Sequence, residues 1–300
     1  MSVTRRKSTF SIVAADLQAG EVGCAVQSRY FSVGSVVPWA RAGVGAAATQ
    51  ASAVAAFGVR ALEELDRGAA PEEALERVLA ADAGRETRQL GVVASDGRAA
   101  AFTGAECLDW AGHRIGAGYA VQGNILAGPA VVDEMARAYE ETVGSLVHRL
   151  VTALEAGQAA GGDKRGQQSA AVVVERVGAR AESREGIDRV CDLRVEDHAA
   201  PIEELRRLVG IWNAWEAQRR AHALHERGET SQAADILQES LAQGEDPTLL
   251  YNLACYESLA GMRERALAHL RRAVELDSSF GALARDDADF DPIRADLSEH

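Results

Sequence analysis

Residues 9–28 read TFSIVAADLQAGEVGCAVQS, and their pattern sets the fold of the first part of the chain. Thr9–Ala15 is apolar and rich in β-branched residues, LQAGE supplies turn residues, and Val22–Ser28 is apolar again. Two such runs across a short glycine-containing turn predict a β-hairpin. Working outward, Val44–Thr49 predicts a strand of small residues. Ala51–Asp66 and Pro71–Ala81 carry helical periodicity, with Gly68 as a stop between them and Pro71 at a helix start. Arg88–Ser95 and Ala99–Thr103 flank Asp96-Gly97, a dipeptide that favours a tight hairpin. Tyr119–Gly123 predicts a short strand, Pro129–Thr142 and Ser145–Gln158 helices, and Ser169–Arg176 and Cys191–Val195 strands. Strands, then helix pairs, then strands again predict a layered α+β domain over residues 9–200, with helices covering sheets. Residues 1–8, MSVTRRKS, form a leader or disordered extension.

After Pro201 the character changes to helix alone. Gly228, Ala233 and Leu237 recur 33 residues later as Gly261, Ala266 and Leu270, and Ala221 recurs as Ala254. That period is close to the 34 residues of tetratricopeptide repeats, and it predicts an all-α, tetratricopeptide-like module over residues 201–300. Small residues at the repeated positions let two antiparallel helices approach closely.

The 300 residues are 47% hydrophobic, so they can bury cores for two domains. The net charge of −13 argues against a nucleic-acid binder and against docking on an anionic membrane. Residues 1–200 hold 26 acidic and 21 basic side chains, and residues 201–300 hold 19 and 11, so the helical part is the more acidic. That surface suits solvent or a basic protein partner. Lys7 and Lys164 are the only lysines. No signal-peptide h-region and no run of about 18 apolar residues occurs, which predicts a cytoplasmic chain with no membrane span. Cys24, Cys107, Cys191 and Cys255 are too scattered for a metal motif or a disulfide framework. His222 and His225 lack further ligands nearby, so neither a metal nor a cofactor is expected.

Several segments carry residues capable of chemistry. A threonine hydroxyl is a weak nucleophile unless a base adjoins it, and the α-amine of an N-terminal threonine is such a base. Thr9 would need cleavage after Ser8 to have one. VGSVVPWARAGVGAAATQAS, residues 33–52, places the polar pair Thr49-Gln50 at a strand-to-helix passage that could line a site floor. CLDWAGHRIGAGYAVQGNILAGP, residues 107–129, offers His113 as a proton carrier near neutrality. In the same segment the Gly123 amide and Asn124 are candidate oxyanion donors. GQAAGGDKRGQQSAAVVV, residues 157–174, crowds Asp163, Lys164 and Arg165 between a helix and an apolar strand. Charged loops of that kind often mark binding sites. Its lysine precedes the last glycine and a strand follows, so it is not a phosphate-binding P-loop.

Together, TFSIVAAD, VGCAVQSRYFSVGSVVPWARAGVGAAATQA, RQLGVV, FTGAECLDWAGHRIGAGYAVQGNILAG and ALEAGQAAGGDKRGQQSAAVVV resemble the family named domain of unknown function 1028, over about residues 8–200. That family is similar in fold to the N-terminal-nucleophile hydrolases, which are αββα sandwiches. The resemblance implies amide-bond hydrolysis with Thr9 as nucleophile at the start of the first strand. Gly123, Asn124 or Thr49 would then donate to the oxyanion. Asp163, Lys164 and Arg165 would hold a polar or charged end of a small-molecule or peptide-like substrate, and Arg29 would lower the amine's pKa. Relatives in that superfamily often assemble, which implies a homo-oligomer. Two other functions fit the same residues. One is a non-catalytic ligand-binding scaffold whose helical repeats bind a partner. The other is a structural, pilus-assembly-related protein, because some members of the family carry that label.

Overall fold

The computed structural model describes residues 9–181, 186–242 and 244–297, so the leader 1–8 lies outside the described residues. Contacts divide the chain into two compact units, Met1–Val209 and Gly210–His300.

The first unit holds two antiparallel sheets. The larger has the order β10-β9-β2-β1-β8-β7 and the smaller β3-β4-β5-β6. In the larger sheet β1 is Thr9–Asp16, β2 Glu21–Ser28, β7 Trp110–Gly116, β8 Tyr119–Leu126, β9 Ser169–Arg176 and β10 Arg189–Val195. In the smaller, β3 is Pro38–Arg41, β4 Gly45–Ala51, β5 Arg88–Ala94 and β6 Ala99–Thr103. The predicted hairpin β1–β2 forms, with Thr9 opposite Ser28 and Asp16 opposite Glu21. The sequence pattern misses β3, a four-residue strand, and β7, whose two glycines, Gly112 and Gly116, mask its alternation.

Helices α1 (Ala55–Asp66) and α2 (Pro71–Leu79) cover the small sheet, and Phe57, Leu62, Leu75 and Val78 pack on Ala47, Leu90 and Val92. Pro71 opens α2, and Glu73 accepts a hydrogen bond from the Ala70 N–H, so an orphan amide of the first turn is satisfied. Helices α3 (Ala130–Glu141) and α4 (Leu146–Ala159) pack against the large sheet, chiefly against β8, β1 and β2. Ser145 caps α4 by accepting from the His148 N–H. Gly157 lets α4 approach closely, because a Cβ there would lie 2.7 Å from Met135 and 3.3 Å from Phe10. The two sheets face each other across a layer that includes Val13, Cys24, Val26, Ala46, Ala48, Val93 and Val173. Each such valine contributes about 1.5–3 kcal/mol of burial.

One expected boundary moves. A helix from Ala51 is not formed: β4 runs through Ala51, which pairs with Arg88, and α1 begins at Ala55. Ala51 has φ +65°, so the turn is made at a non-glycine residue in the left-handed region.

Helix α5 (Pro201–Glu226) begins where the strand pattern ends, and the division between units falls inside it. The second unit contains the rest of α5 with α6 (Thr230–Leu241), α7 (Pro247–Leu259), α8 (Arg263–Leu276), α9 (Ser279–Asp286) and α10 (Arg294–Leu297). The 33-residue recurrence has a physical counterpart. Gly228 and Gly261 both have positive φ, at +81° and +76°, and both end a helix before a sharp reversal. Ala221, Ala254, Ala233 and Ala266 are each 0% exposed at helix crossings. No helix among the described residues is long and apolar enough to cross a membrane.

Candidate functional site

Antiparallel register brings one polar row together across four strands of the large sheet. Ser169 lies opposite Ser28, Ser28 opposite Thr9, and Thr9 opposite Asn124. Directly opposed residues share a face, so these four side chains stand side by side. All four are buried, with Thr9 only 2% exposed. The Thr9 hydroxyl donates to Ser28 Oγ at 3.1 Å. The small sheet answers with its own polar row, in which Gln50 lies opposite Gln89 and Gln89 opposite Thr103.

The two rows are stitched by a hydrogen-bond chain that runs in one direction. Gln122 Nε2 donates to Ser11 Oγ at 2.6 Å, and Ser11 donates to Gln50 Oε1 at 2.6 Å. Gln50 Nε2 donates to Gln89 Oε1 at 2.9 Å, and Gln89 Nε2 donates to Thr103 Oγ1 at 3.0 Å. Thr103, already an acceptor, can pass its own proton to His113 Nδ1 at 2.9 Å. Burial pushes the His113 imidazole below its usual pKa, which fits a neutral ring accepting at Nδ1. Asn124 Nδ2 joins the chain by donating to Gln89 Oε1 at 2.9 Å. Gln50 Nε2 also reaches the Thr9 carbonyl at 3.4 Å. Aligned chains of this kind polarise one another and tolerate few substitutions.

A small cleft of about 10 Å³, room for a single water, lies against this row. Thr9, Ser28, Tyr30, Val33, Gln50 and Ala51 line it. Backbone strain gathers here too. Ser32, Ala51 and Ile125 are non-glycine residues at positive φ, and each lies within four residues of Ser28, Gln50 or Asn124. Ile125 is β-branched, for which that region is a genuine outlier. Strain of this kind persists where the surrounding structure over-determines the backbone.

The expected site residues separate into groups. Thr9 and Asn124 are adjacent in the polar row. Gly123 lies one residue on, where its carbonyl accepts from Gln89 Nε2 at 2.8 Å; the side-chain contact is to its carbonyl and not to the amide proposed as an oxyanion donor. Thr49 is not brought to Thr9. Its hydroxyl donates to the Val54 carbonyl at 3.3 Å, on the α1 side of β4, because a one-residue step reverses the face. Gln50 occupies the inward position instead. His113 joins through Thr103 and Gln89.

Asp163 is buried and acts on backbone. Its carboxylate accepts from the Arg29 N–H at 3.0 Å and the Arg165 N–H at 2.8 Å, and it pairs with the Arg165 guanidinium at 3.2 Å. The Lys164 N–H donates to the Ile125 carbonyl at 3.2 Å. The loop therefore clamps the ends of β2 and β8 on either side of Thr9. Arg29 and Lys164 themselves are exposed. The sequence pattern points to Gln50 beside Thr49 but misses Ser28, Gln89 and Gln122. Their only signal was a polar residue inside each predicted strand or beside it, at positions where an apolar one would serve packing better.

In the helical unit, Cys255, Asp287 and Asp289 lie with ligand atoms within 4.8 Å of one another. Tyr251 donates to Asp287 Oδ2 at 2.6 Å, and burial together with the two carboxylates pushes the Cys255 thiol up. All four cysteines are free thiols.

The model of a family of unknown function, DUF1028, matches residues 9–205. The chain belongs to that family. A DUF1028 crystal structure, of protein SPO2555 from Silicibacter pomeroyi, is 33% identical with a TM-score of 0.61. The match covers 67% of this chain and 88% of that one. No curated protein matches the chain. The DUF1028 match begins at Thr9, the first residue of β1, and ends inside α5.

Proposed function

We propose that the DUF1028 unit is an amide-bond hydrolase of the N-terminal-nucleophile type, with Thr9 as nucleophile. The observation that carries this reading is the buried row Ser169–Ser28–Thr9–Asn124, with the Thr9 hydroxyl hydrogen-bonded at 3.1 Å beside a water-sized cleft. Two sheets faced by helices on both sides are consistent with the αββα sandwich of that superfamily. Hydrolysis of the Ser8–Thr9 bond would give Thr9 a free amine. That amine takes the proton from Oγ1 as the oxygen attacks the amide carbonyl, and returns it to the leaving amine; a water, deprotonated by the same amine, then cleaves the acyl ester on Thr9, releasing the acid and restoring the hydroxyl. Asn124, opposite Thr9 in the row, serves as oxyanion donor. The glutamine chain holds both in place from the facing sheet.

The test is the intact mass of an active preparation. A chain beginning at Thr9 is expected in the active fraction. Thr9→Ala should abolish turnover, by about 10³-fold or more, with the fold left intact. Full activity from chains that keep residues 1–8 would overturn the reading.

For the helical unit we propose a tetratricopeptide-like hairpin pair that binds a partner segment. A cavity of about 470 Å³ bordered by Leu267, Leu270, Val274, Ala284 and Leu297 favours that role. A truncation at Val209 should abolish partner capture and leave hydrolysis by the first unit intact.

A further inference from the structure

The charges around Thr9 differ from those elsewhere in the first unit. Its described arginine and lysine side chains are nearly all engaged with a carboxylate, as expected in a chain of net charge −13. Among the described residues of that unit, Arg29, Arg60 and Lys164 have no ion pair. Arg60 lies 6.0 Å over the Phe57 ring. The other two flank Thr9. Arg29 follows Ser28, the hydrogen-bond partner of Thr9, and Lys164 is tied to Ile125, the residue after Asn124.

Their placement is built. The buried Asp163 carboxylate holds the Arg29 N–H, and Asp163 itself bridges to Leu126 in β8. Arg165 takes up the Asp163 charge, so Asp163 does not neutralise the two flanking cations. Gly166, at φ +99°, lets the loop pass beneath Arg29, since a Cβ there would lie 3.1 Å from Nη1. One Arg29 nitrogen touches the Gln167 carbonyl at 3.4 Å, which leaves most of its donor fork facing outward. Arg29 and Lys164 stand on backbone segments joined through Asp163, and a guanidinium together with an ammonium suits a carboxylate, which accepts two parallel N–H bonds from the fork and a third from the amine.

We infer that the substrate of the Thr9 site is an amide that also carries a carboxylate, as in an N-acyl amino acid, and that Arg29 and Lys164 receive the carboxylate. This rests on the amide-hydrolase reading above. The amide carbonyl lies over Thr9 and Asn124, and the carboxylate lies toward the ends of β2 and β8.

The test uses full-length Thr9→Ala protein, which cannot turn over, and two probes, N-benzoylglycine and the neutral N-benzoylglycinamide, by titration calorimetry. The anionic probe should bind at least about tenfold more tightly, in line with charge-assisted hydrogen bonds. Arg29→Gln and Lys164→Gln should each erase most of that preference, and Arg60→Gln should not change it. Added salt should weaken the preference, because exposed charges are screened over about 8–10 Å. Equal binding of the two probes, no binding of the anion, or a preference that survives Arg29→Gln with Lys164→Gln would overturn the inference. If the anion preference holds but wild-type protein keeps residues 1–8 and releases no glycine from N-benzoylglycine or from any N-acyl amino acid tried, the hydrolase reading fails and the anion site stands.

Discussion

The layer between the two sheets has two ends made by the same strands. At one end face Thr9, Ser11, Gln50, Gln89 and Gln122, and a few residues along face Val13, Cys24, Ala46, Val93 and Val173. Both ends are equally buried, so burial does not distinguish them. The apolar end gains stability from area and does not depend on orientation. The polar end gains little net energy per hydrogen bond, yet each buried group left without a partner is costly, so it favours one register and one set of side-chain directions. The candidate site lies at the end where geometry is most tightly specified.

Four measurements would break or sharpen that contrast. The largest effect is expected for Gln89→Leu, which is nearly isosteric but removes the acceptor for Gln50 and Asn124 and the donor to Thr103 and Gly123. Urea unfolding should show a loss on the order of 4 kcal/mol, several orphaned groups at about 1–3 kcal/mol each. A loss below about 1 kcal/mol would mean the polar end is not a locked network.

Gly91 lies where the two ends meet. A Cβ there would sit 2.0 Å from Gln122 Oε1, so Gly91→Ala must push a buried amide out of place. A cost of about 2–3 kcal/mol is expected from overpacking. Full stability would show that Gln122 can turn aside and that the chain has slack.

At the apolar end, Val13→Thr keeps the shape and adds a hydroxyl among Cys24, Ala120 and other apolar neighbours. Thermal unfolding should report a loss of about 1–2 kcal/mol for the unpartnered group. No loss would mean that the polar network can extend into the apolar half.

The smallest effect is a pH dependence. Burial holds the His113 imidazole below its ordinary value of about 6.5. The unfolded chain therefore takes up a proton as pH falls through that value, while the folded chain resists until lower pH. Stability should decline over that window and level off below the folded pKa. His113→Gln should flatten part of the slope. His148, lowered by burial and by Arg206, accounts for a further part. An unchanged slope in His113→Gln would remove His113 from the network.

Much of this was legible in the chain itself. The hairpin from Thr9 to Ser28, the turn at Asp96-Gly97 and the two helix pairs follow from periodicity and turn chemistry, which are local. So does the 33-residue recurrence, since Gly228 and Gly261 terminate helices by the same left-handed residue. The loop 163–165 was legible as a charged insertion, but its action was not. Asp163 proved to bind backbone amides from β2 and its own loop, a role that depends on which strand ends lie next to it. Thr49 and Gln50 illustrate the limit. Both are polar and both buried, and only the pleat of β4 decides that Gln50 faces Thr9 while Thr49 faces α1.

The sequence by itself determined eight of the ten strands and the helix pairs between them, the change to an all-helical pattern after Pro201, and Thr9 as the first residue of β1. These rest on interactions between residues close in the chain. Only the tertiary structure decided that Ser169, Ser28, Thr9 and Asn124 form one row, and that Gln50 and Gln89 meet it from the other sheet. Those contacts join residues up to 141 positions apart in the β2–β9 pairing, so they depend on pairing register and sheet stacking. Each hydrogen bond requires its partner to be present, and no local pattern in the chain carries that information.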